Sequence, residues 1–254
     1  MSYIFVHLMG GLGNQLFQYA AGFLHQKINN GKLLFTSPKE NPHDVTDYRT
    51  IFELEKHDTE VPYFRHTLYQ EDGFAHWNPS DYKYQVLYLH GHFQNYSTLK
   101  PILPEFKNIL LDKLKSRREI VLHKYTILPS SGFIHVRRGD YVQWSDTHHL
   151  QDMTYYSEGL KKMADVQHWY IFSDDMEWVK QQPLFQNLGP VYVEESDPLM
   201  SLALMSEIHD GAIIANSTFS WWGAYLSGSD SVIYPRKWFK NKTPDLFPAN
   251  WIGI

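Results

Sequence analysis

The stretch YIFVHLMGGLGNQLFQYAAGFLHQKIN, residues 3–29, contains the repeating unit of the fold. Its first part, Tyr3–Met9, is rich in apolar, β-branched and aromatic residues, which predicts a buried strand. Glycines follow at positions 10, 11 and 13, and then apolar residues recur at helical spacing, which predicts a helix over Asn14–Asn29. The stretch therefore predicts a strand, a glycine loop and a helix in succession.

The same alternation continues along the chain. Short apolar runs predict further strands at Leu33–Thr36, Val86–His90, Phe133–Val136, Trp169–Ser173, Val191–Val193, Ala212–Asn216 and Ser231–Tyr234. Helical spacing predicts further helices at Tyr96–Lys115, Met153–Ala164 and Pro198–Glu207. Strands that alternate with helices indicate an α/β fold with largely parallel sheets. The polar and aromatic stretch Asn41–Tyr84 has no clean period, and we expect it to be an irregular insertion.

A chain of 254 residues is about the length at which one core divides into two lobes. The segment Pro129-Ser130-Ser131-Gly132 interrupts the pattern before the next strand. We therefore expect two α/β lobes, residues 1–125 and 126–254, that face each other across a cleft.

Composition excludes several classes of function. The chain has no cysteine, which excludes disulfides, cysteine zinc sites, iron–sulfur clusters and thiol nucleophiles. The net charge of −5 argues against an electrostatic binder of nucleic acid. The apolar run near the start is too short for a membrane span or a signal peptide, so we expect a cytoplasmic protein. Aromatic residues make up 16% of the chain, which suits stacking on sugars or bases as well as a thick core.

Polar clusters follow the carboxyl ends of four predicted strands. They are Gly10–Gln15, Arg137–Asp140, Ser173–Asp175 and Asn216–Trp222. In open α/β sheets, ligands bind beyond the carboxyl ends of the strands. One shared ligand site explains the four positions better than four unrelated loops do.

Two of these clusters suggest phosphate binding. The glycine loop lets backbone N–H groups approach a phosphate at a helix N-terminus, or it is a tight turn with Asn14 as the N-cap. Arg137 and Arg138 supply planar donor forks that suit a diphosphate, and Arg137 is the preferred ligand. Arg138 either assists or is held by Asp140, and the alternative for the motif is an ion pair that braces a turn.

The other two clusters can also be interpreted either as ligand-binding residues or as structural ones. Asp174 can accept the N1–H and the exocyclic amine of guanine, while Asp175 is a candidate N-cap. The aspartate pair also fits a divalent metal, but we expect none because two arginines already supply positive charge. In the last cluster Ser217, Thr218 and Ser220 form a second phosphate cradle at a helix start. Trp221 and Trp222 are expected to pack within the lobe.

Together these motifs resemble a known family. The strings GGLGNQLFQY (10–19), GHFQNY (91–96), FIHVRRGDY (133–141), IFSDD (171–175) and IIANSTFSWWGAYL (213–226) are similar to those of glycosyltransferase family 11. This family contains the GDP-fucose-dependent α-1,2-fucosyltransferases, and the likeness extends over nearly the whole chain. It implies a GT-B fold of two Rossmann-like lobes, GDP-β-L-fucose as donor, inversion to an α-linkage and no metal. It also implies acceptor binding mainly in the first lobe and donor binding mainly in the second.

The resemblance assigns roles to individual residues. It implies that His135 and Asp174 read the guanine, and that Arg137 holds the β-phosphate with support from Arg138. Asn14, counted with Arg137 and Asp140 as a catalytic candidate, approaches the phosphate or the fucose. The donor-pocket residues that remain are Gly13, Ser217, Thr218, Phe219 and Ser220.

The expected reaction needs a donor, a glycan acceptor and a group that takes the acceptor's proton. Asp140 is the nearest carboxylate in its motif, but it can instead brace Arg138, so the base stays open. Two alternatives remain: a transferase for another GDP-sugar or another linkage, and a non-catalytic GDP-sugar-binding module. The family's Golgi members carry a membrane anchor without a counterpart here. The expected protein is therefore of the soluble microbial or viral type, in the host cytoplasm if viral, with no nucleic-acid partner.

Overall fold

In the computed structural model of the chain, a strand, a glycine loop and a helix follow one another as the opening stretch predicts. They are β1 (Ser2–His7) and α1 (Leu12–Asn29), joined by the loop. Gly10 lies at a φ of 74°, in the left-handed region that favours glycine. The N-cap of α1 is Gly11, and no side chain caps the helix. The prediction that Asn14 is the N-cap is therefore wrong, because α1 already begins before it.

The structure describes residues 2–36, 47–57, 67–70, 74–143, 149–239 and 244–254. The chain divides into two compact units, each with one parallel sheet. The first unit is Met1–Leu110 with Pro244–Phe247, and the second is Leu111–Thr243 with Pro248–Ile254.

The sheet of the first unit has four parallel strands in the order β2-β1-β4-β3. The fully buried residues of its central strands are Ile4, Val6, Leu87 and Leu89. On β4 they alternate with half-buried residues, and α1 packs against β1 and β2. The other elements up to the unit boundary are β2 (Gly31–Thr36), α2 (Tyr48–Ile51), β3 (Thr67–Gln70), a 3-10 turn (Pro79–Tyr82), β4 (Val86–Gly91), α3 (Tyr96–Leu99) and α4 (Leu103–Lys113).

The sheet of the second unit has six parallel strands in the order β10-β9-β8-β5-β6-β7. Its central strand is buried along its whole length, as the uninterrupted apolar run in the sequence requires. The elements are α5 (Lys115–Lys124), β5 (Ser131–Val136), α6 (Gly139–Gln143), α7 (Met153–Lys162), β6 (His168–Ser173), α8 (Met176–Lys180), α9 (Pro183–Gln186), β7 (Val191–Val193), α10 (Pro198–Met205), β8 (Gly211–Ile213), α11 (Thr218–Ser227), β9 (Val232–Tyr234) and β10 (Ile252–Gly253).

The α/β class with parallel sheets is confirmed, and each of the eight predicted strands is present. The single helix predicted over Tyr96–Lys115 is wrong, because the segment forms α3 and α4 with Pro101 between them. A proline has no N–H to donate to the preceding turn, so a continuous helix is interrupted there.

The prediction of an irregular insertion over Asn41–Tyr84 is wrong for its described parts. These parts contain α2, β3 and the 3-10 turn, and β3 pairs in parallel with β4 at the edge of the first sheet. Residues 41–46, 58–66 and 71–73 of this stretch lie outside the described residues.

Candidate active site

The predicted donor cluster lies where the second sheet changes direction. In the sheet β5 is flanked by β8 and β6. The chain proceeds outward from β5 through β6 and β7 on one side, and through β8, β9 and β10 on the other. Such a topological switch point is where open α/β sheets bind ligands, beyond the carboxyl ends of the strands. Three of the four predicted clusters follow β5, β6 and β8, so the topology brings them to one edge of this sheet.

His135, on β5, is a buried imidazole that carries no charge at neutral pH. Its side chain is 5% exposed, and its ring centroid lies 5.7 Å from that of Phe219. Burial, with the nearby Arg137 charge as a smaller cause, lowers the pKa of His135 to about 3. Its buried Nδ1 has no hydrogen-bond partner among the described residues. A buried polar atom without a partner is costly, so this nitrogen is available to a ligand.

Arg137 is held by two carboxylates. Its Nη2 lies 2.6 Å from Asp140 Oδ1, and its Nη1 lies 2.9 Å from Asp174 Oδ2. The guanidinium also lies 5.3 Å from the centre of the Tyr141 ring. The expectation that Asp140 holds Arg138 is therefore wrong: α6 begins at Gly139 and turns the Asp140 carboxylate back onto Arg137.

Arg138 is attached to the next strand and its helix. Its Nε lies 3.0 Å from Asp175 Oδ2, and its guanidinium lies 3.8 Å from the centre of the Trp178 ring. Its backbone N–H donates to Asp174 Oδ1 at 2.8 Å. Asp175 also caps α8 by accepting from the Trp178 N–H, which confirms the N-cap interpretation. Arg138 is thus fixed in place mainly by the residues around β6 and α8.

The loop after β8 is fixed by its asparagine. Asn216 Nδ2 donates to the carbonyl oxygens of His149 and Trp238, both at 2.9 Å. Tyr141 Oη donates to the Asn216 carbonyl oxygen at 2.9 Å, which ties the loop to α6. Asn216 Oδ1 is buried and has no hydrogen-bond partner among the described residues.

The hydroxyl residues at the start of α11 differ in their exposure. Ser217 is the N-cap residue, but its side chain makes no capping hydrogen bond. Ser217, Thr218 and Phe219 are half-buried, whereas Ser220 is fully buried and its hydroxyl donates to the Ser217 carbonyl at 3.1 Å. Trp221 and Trp222, both fully buried, pack inside the unit as predicted.

Gly13 and Asn14 lie in the other unit, in the first turn of α1. Gln94 Nε2 donates to Asn14 Oδ1 at 2.9 Å. Gln15 Nε2 donates to the Gly10 carbonyl at 2.8 Å, which braces the glycine loop from inside the helix.

Two histidines at the edge of the first sheet were not singled out as site residues from the sequence. His7 ends β1, and His90 is near the end of β4, the neighbouring strand. Their ring centroids lie 5.0 Å apart at an interplanar angle of 90°. The signal available in the sequence was that both lie near the carboxyl ends of predicted buried strands, next to where the other clusters begin.

Neither a metal-binding cluster nor a membrane-spanning helix is present within the described ranges. No group of three or more histidine, aspartate or glutamate side chains there is arranged to hold a metal ion. No helix within those ranges is long and apolar enough to cross a membrane.

Comparison of the sequence with known proteins identifies relatives along its full length. The model of Glycosyl transferase family 11 matches residues 3–254. The O-antigen biosynthesis glycosyltransferase WbnK of Escherichia coli is 30% identical, with 97% of this chain and 99% of that protein covered. An alpha-1,2-colitosyltransferase of Escherichia coli is 26% identical, with 100% and 99% covered. The galactoside alpha-(1,2)-fucosyltransferase 2 of Mus musculus is 27% identical, with 98% and 77% covered.

The fold also has solved counterparts. The crystal structure of POFUT1 in complex with GDP-fucose matches with a TM-score of 0.52 and 11% sequence identity, covering 92% of this chain and 98% of that one. The likeness confirms the α/β fold of GT-B type with two Rossmann-like units. By its sequence, the chain belongs to glycosyltransferase family 11.

Proposed function

We propose that the protein transfers L-fucose from GDP-β-L-fucose to O-2 of a galactoside, with inversion to an α-linkage and without a metal ion. In this proposal residues 126–254 bind the donor and residues 1–125 bind the acceptor. Family membership supports the reaction class, and the names of its relatives support the α-1,2 linkage and the galactoside. The observation that carries the donor assignment is Arg137 at the switch point of the second sheet, between two carboxylates.

Arg137 is the ligand of the β-phosphate in this proposal. Its planar donor fork fits two phosphate oxygens, which would take the place of a carboxylate. When GDP binds, the pair between Arg137 and Asp174 would open, so that Arg137 holds the β-phosphate and the Asp174 carboxylate accepts the guanine N1–H and amine. Asp140 would keep the guanidinium oriented.

His135 completes the guanine site because it is uncharged. A neutral imidazole has one nitrogen that donates and one that accepts, so the unpartnered Nδ1 can bond to a base edge in either tautomer. The half-buried Ser217, Thr218 and Phe219 at the start of α11 line the rest of the pocket, with fully buried Ser220 behind them.

The chemical step is a displacement at the anomeric carbon. The acceptor hydroxyl oxygen forms a bond to C1 of the fucose and gives its proton to a base, for which Asp140 is the candidate carboxylate, and the bond between C1 and the β-phosphate oxygen breaks with its electron pair on the phosphate. Fixed donors aimed at such developing charge are usually the largest single source of acceleration. Arg137 supplies that stabilisation, Arg138 supports it, and Asn14 contacts the phosphate or the fucose from the first unit's helix.

Thermal unfolding with nucleotides tests this proposal. The midpoint is measured with GDP, UDP, ADP and CDP, each with and without EDTA. A ligand at about 100 times its dissociation constant stabilises by about 2.7 kcal/mol, which is readily visible. We expect a shift with GDP alone, unchanged by EDTA and lost in Arg137→Ala. The control is Arg117→Ala, whose guanidinium pairs with Asp197 away from the switch point.

Two results would contradict the donor assignment. One is a shift with UDP, and the other is a GDP shift that EDTA abolishes, since it would restore Asp174 and Asp175 as metal ligands. Transfer from GDP-fucose to a galactoside, with the linkage of the product determined, then tests the reaction itself.

A second donor has a specific observation in its favour. The colitosyltransferase is similar to this chain over its whole length, so a donor that carries colitose in place of fucose is the alternative. Competition between the two GDP-sugars at equal concentration separates them, because the preferred donor has the higher kcat/KM.

A further inference from the structure

Two histidines lie at the carboxyl ends of the central strands of the first sheet. β1 and β4 are neighbours at its centre, with β2 outside β1 and β3 outside β4. Val6 pairs with Leu89, so the next residues, His7 and His90, stand at the same level at the carboxyl ends of the two strands. Because open α/β sheets bind ligands beyond the carboxyl ends of their strands, this edge is a candidate ligand position of the first unit.

Hydrogen bonds fix the orientation of the His7 ring. Its Nδ1 lies 3.1 Å from Oγ1 of Thr36, the residue that pairs with His7 on β2. The Thr36 hydroxyl is directed at the Val6 carbonyl oxygen, 3.5 Å away. When the Thr36 hydroxyl donates to the Val6 carbonyl oxygen, it accepts from Nδ1–H of His7, and in that tautomer Nε2 of His7 is a hydrogen-bond acceptor.

Both imidazoles are half-buried and uncharged at neutral pH. Burial, with the neighbouring His90 as a smaller cause, lowers the pKa of His7 to about 4. Burial also lowers the pKa of His90. The Tyr88 ring lies 6.3 Å from each of them on the same face of the sheet. This edge therefore offers neutral hydrogen-bonding groups and an aromatic ring, in contrast to the arginines of the second sheet.

We propose that His7 and His90 form the acceptor-sugar subsite, in which Nε2 of His7 accepts a hydrogen bond from a sugar hydroxyl. The inference rests on the proposed function, because it names where the acceptor of that reaction binds. An uncharged sugar presents hydroxyl donors and apolar C–H faces, and this edge matches both with an imidazole acceptor and a tyrosine ring. Two histidines are too few for a zinc site, which uses three or four protein ligands.

Steady-state kinetics with a galactoside acceptor test the inference in two variants. We expect His7→Gln to raise the acceptor KM about tenfold, since a hydrogen bond to the substrate is lost. His90→Phe should raise it too, because the ring that packs edge-on against His7 at the subsite is changed. The KM for GDP-fucose and the GDP-induced shift of the unfolding midpoint should not change. The control is Tyr3→Phe, on the same face of β1 at its other end, which should leave both KM values unchanged.

A measurement on the unaltered protein does not depend on whether a variant folds. In ¹⁵N spectra of the histidine rings, methyl β-galactoside should shift the His7 and His90 resonances saturably. Ring resonances that do not respond to the galactoside, or that respond to Zn²⁺ instead, would overturn the inference. An acceptor KM within twofold of wild type in both variants would overturn it too. A failure of the proposed function would give a different result, because the wild-type protein would then not consume GDP-fucose.

Discussion

The carboxyl ends of the central strands carry different chemistry in the two sheets. At the second sheet, Arg137 is enclosed by carboxylates of Asp140 and Asp174 at 2.6 and 2.9 Å. At the first sheet, the corresponding strand ends carry two neutral imidazoles, and a threonine orients one of them. A nucleoside diphosphate is an anion and a sugar hydroxyl is not. The comparison therefore teaches that one strand-end geometry, given different side chains, can supply a site for a charged donor and a site for an uncharged acceptor.

The largest expected effect is at the charged switch point. Arg137→Ala should lower kcat about 10²–10³-fold, the usual cost of losing one donor to developing charge. Arg137→Lys should regain little, because an ammonium group cannot bond in a fork to two phosphate oxygens. Turnover with saturating GDP-fucose measures both variants, and Arg117→Ala should retain wild-type kcat. Near-wild-type turnover of the lysine variant would contradict the role of the fork.

The second prediction concerns stability against acid, since folding keeps histidines neutral in both units. Burial lowers the pKa of His25 to about 4 and that of His135 to about 3, from 6.5. Below pH 6.5 the unfolded chain binds protons that the folded chain does not, so the free energy of unfolding decreases as pH falls from 6.5 towards 4. For the fully buried His25, which accepts from Trp77 Nε1 at 3.2 Å, the contribution is on the order of 3 kcal/mol.

Urea unfolding at pH 7, 6 and 5 measures this dependence. His25→Phe should flatten it, and His123→Gln at the exposed end of α5 is the matched control. An unfolding free energy that is the same at all three pH values would show that these imidazoles are not held neutral.

A smaller effect on stability is expected from adding one methyl group at Gly139 or at Gly11. A Cβ on Gly139 would collide with Asp174 Oδ2, whereas a Cβ on Gly11 would meet nothing within 4 Å. We therefore expect Gly139→Ala to lower the free energy of unfolding by about 1–3 kcal/mol and to weaken the GDP shift. Gly11→Ala should cost less than about 1 kcal/mol, the range for a cap residue. Equal losses of stability in the two variants would contradict the tight packing around Asp174.

The smallest expected effect is at the histidine edge of the first sheet. Thr36→Val keeps the volume but removes the partner of His7 Nδ1, so the acceptor KM should rise about threefold to tenfold. The control is Thr98→Val, which removes the partner of another histidine in the same unit, His76, at 2.8 Å. A KM increase of the same size in both variants would mean that Thr36 acts only through general stability.

The sequence was sufficient for most of the strands but not for all of them. Runs such as Phe133–Val136 are buried on both faces, so their composition alone identifies them. Thr67–Gln70 is a four-residue edge strand in a polar stretch, and Ile252–Gly253 has two residues, so neither carries a periodic signal. Each of these two segments forms a strand only because it pairs with a neighbouring strand.

The sequence predicted where the site residues lie along the chain, but not which side chains pair with each other. Chemistry at strand ends follows from the sequence because parallel strands end at one edge. Which carboxylate pairs with which arginine depends on Val136 and Ser173 being neighbours across β5 and β6, and on the turn that begins α6. For the same reason the pairing of His7 with His90 needed the strand order of the first sheet.

Hydrogen–deuterium exchange with each substrate alone tests the central claim most directly. GDP should slow exchange in peptides that cover 137–143 and 216–219, and a galactoside should slow exchange in peptides that cover 7–11 and 90–94. Protection of the first sheet's edge by GDP alone, with no change at 137–143, would contradict the assignment of the charged switch point to the donor.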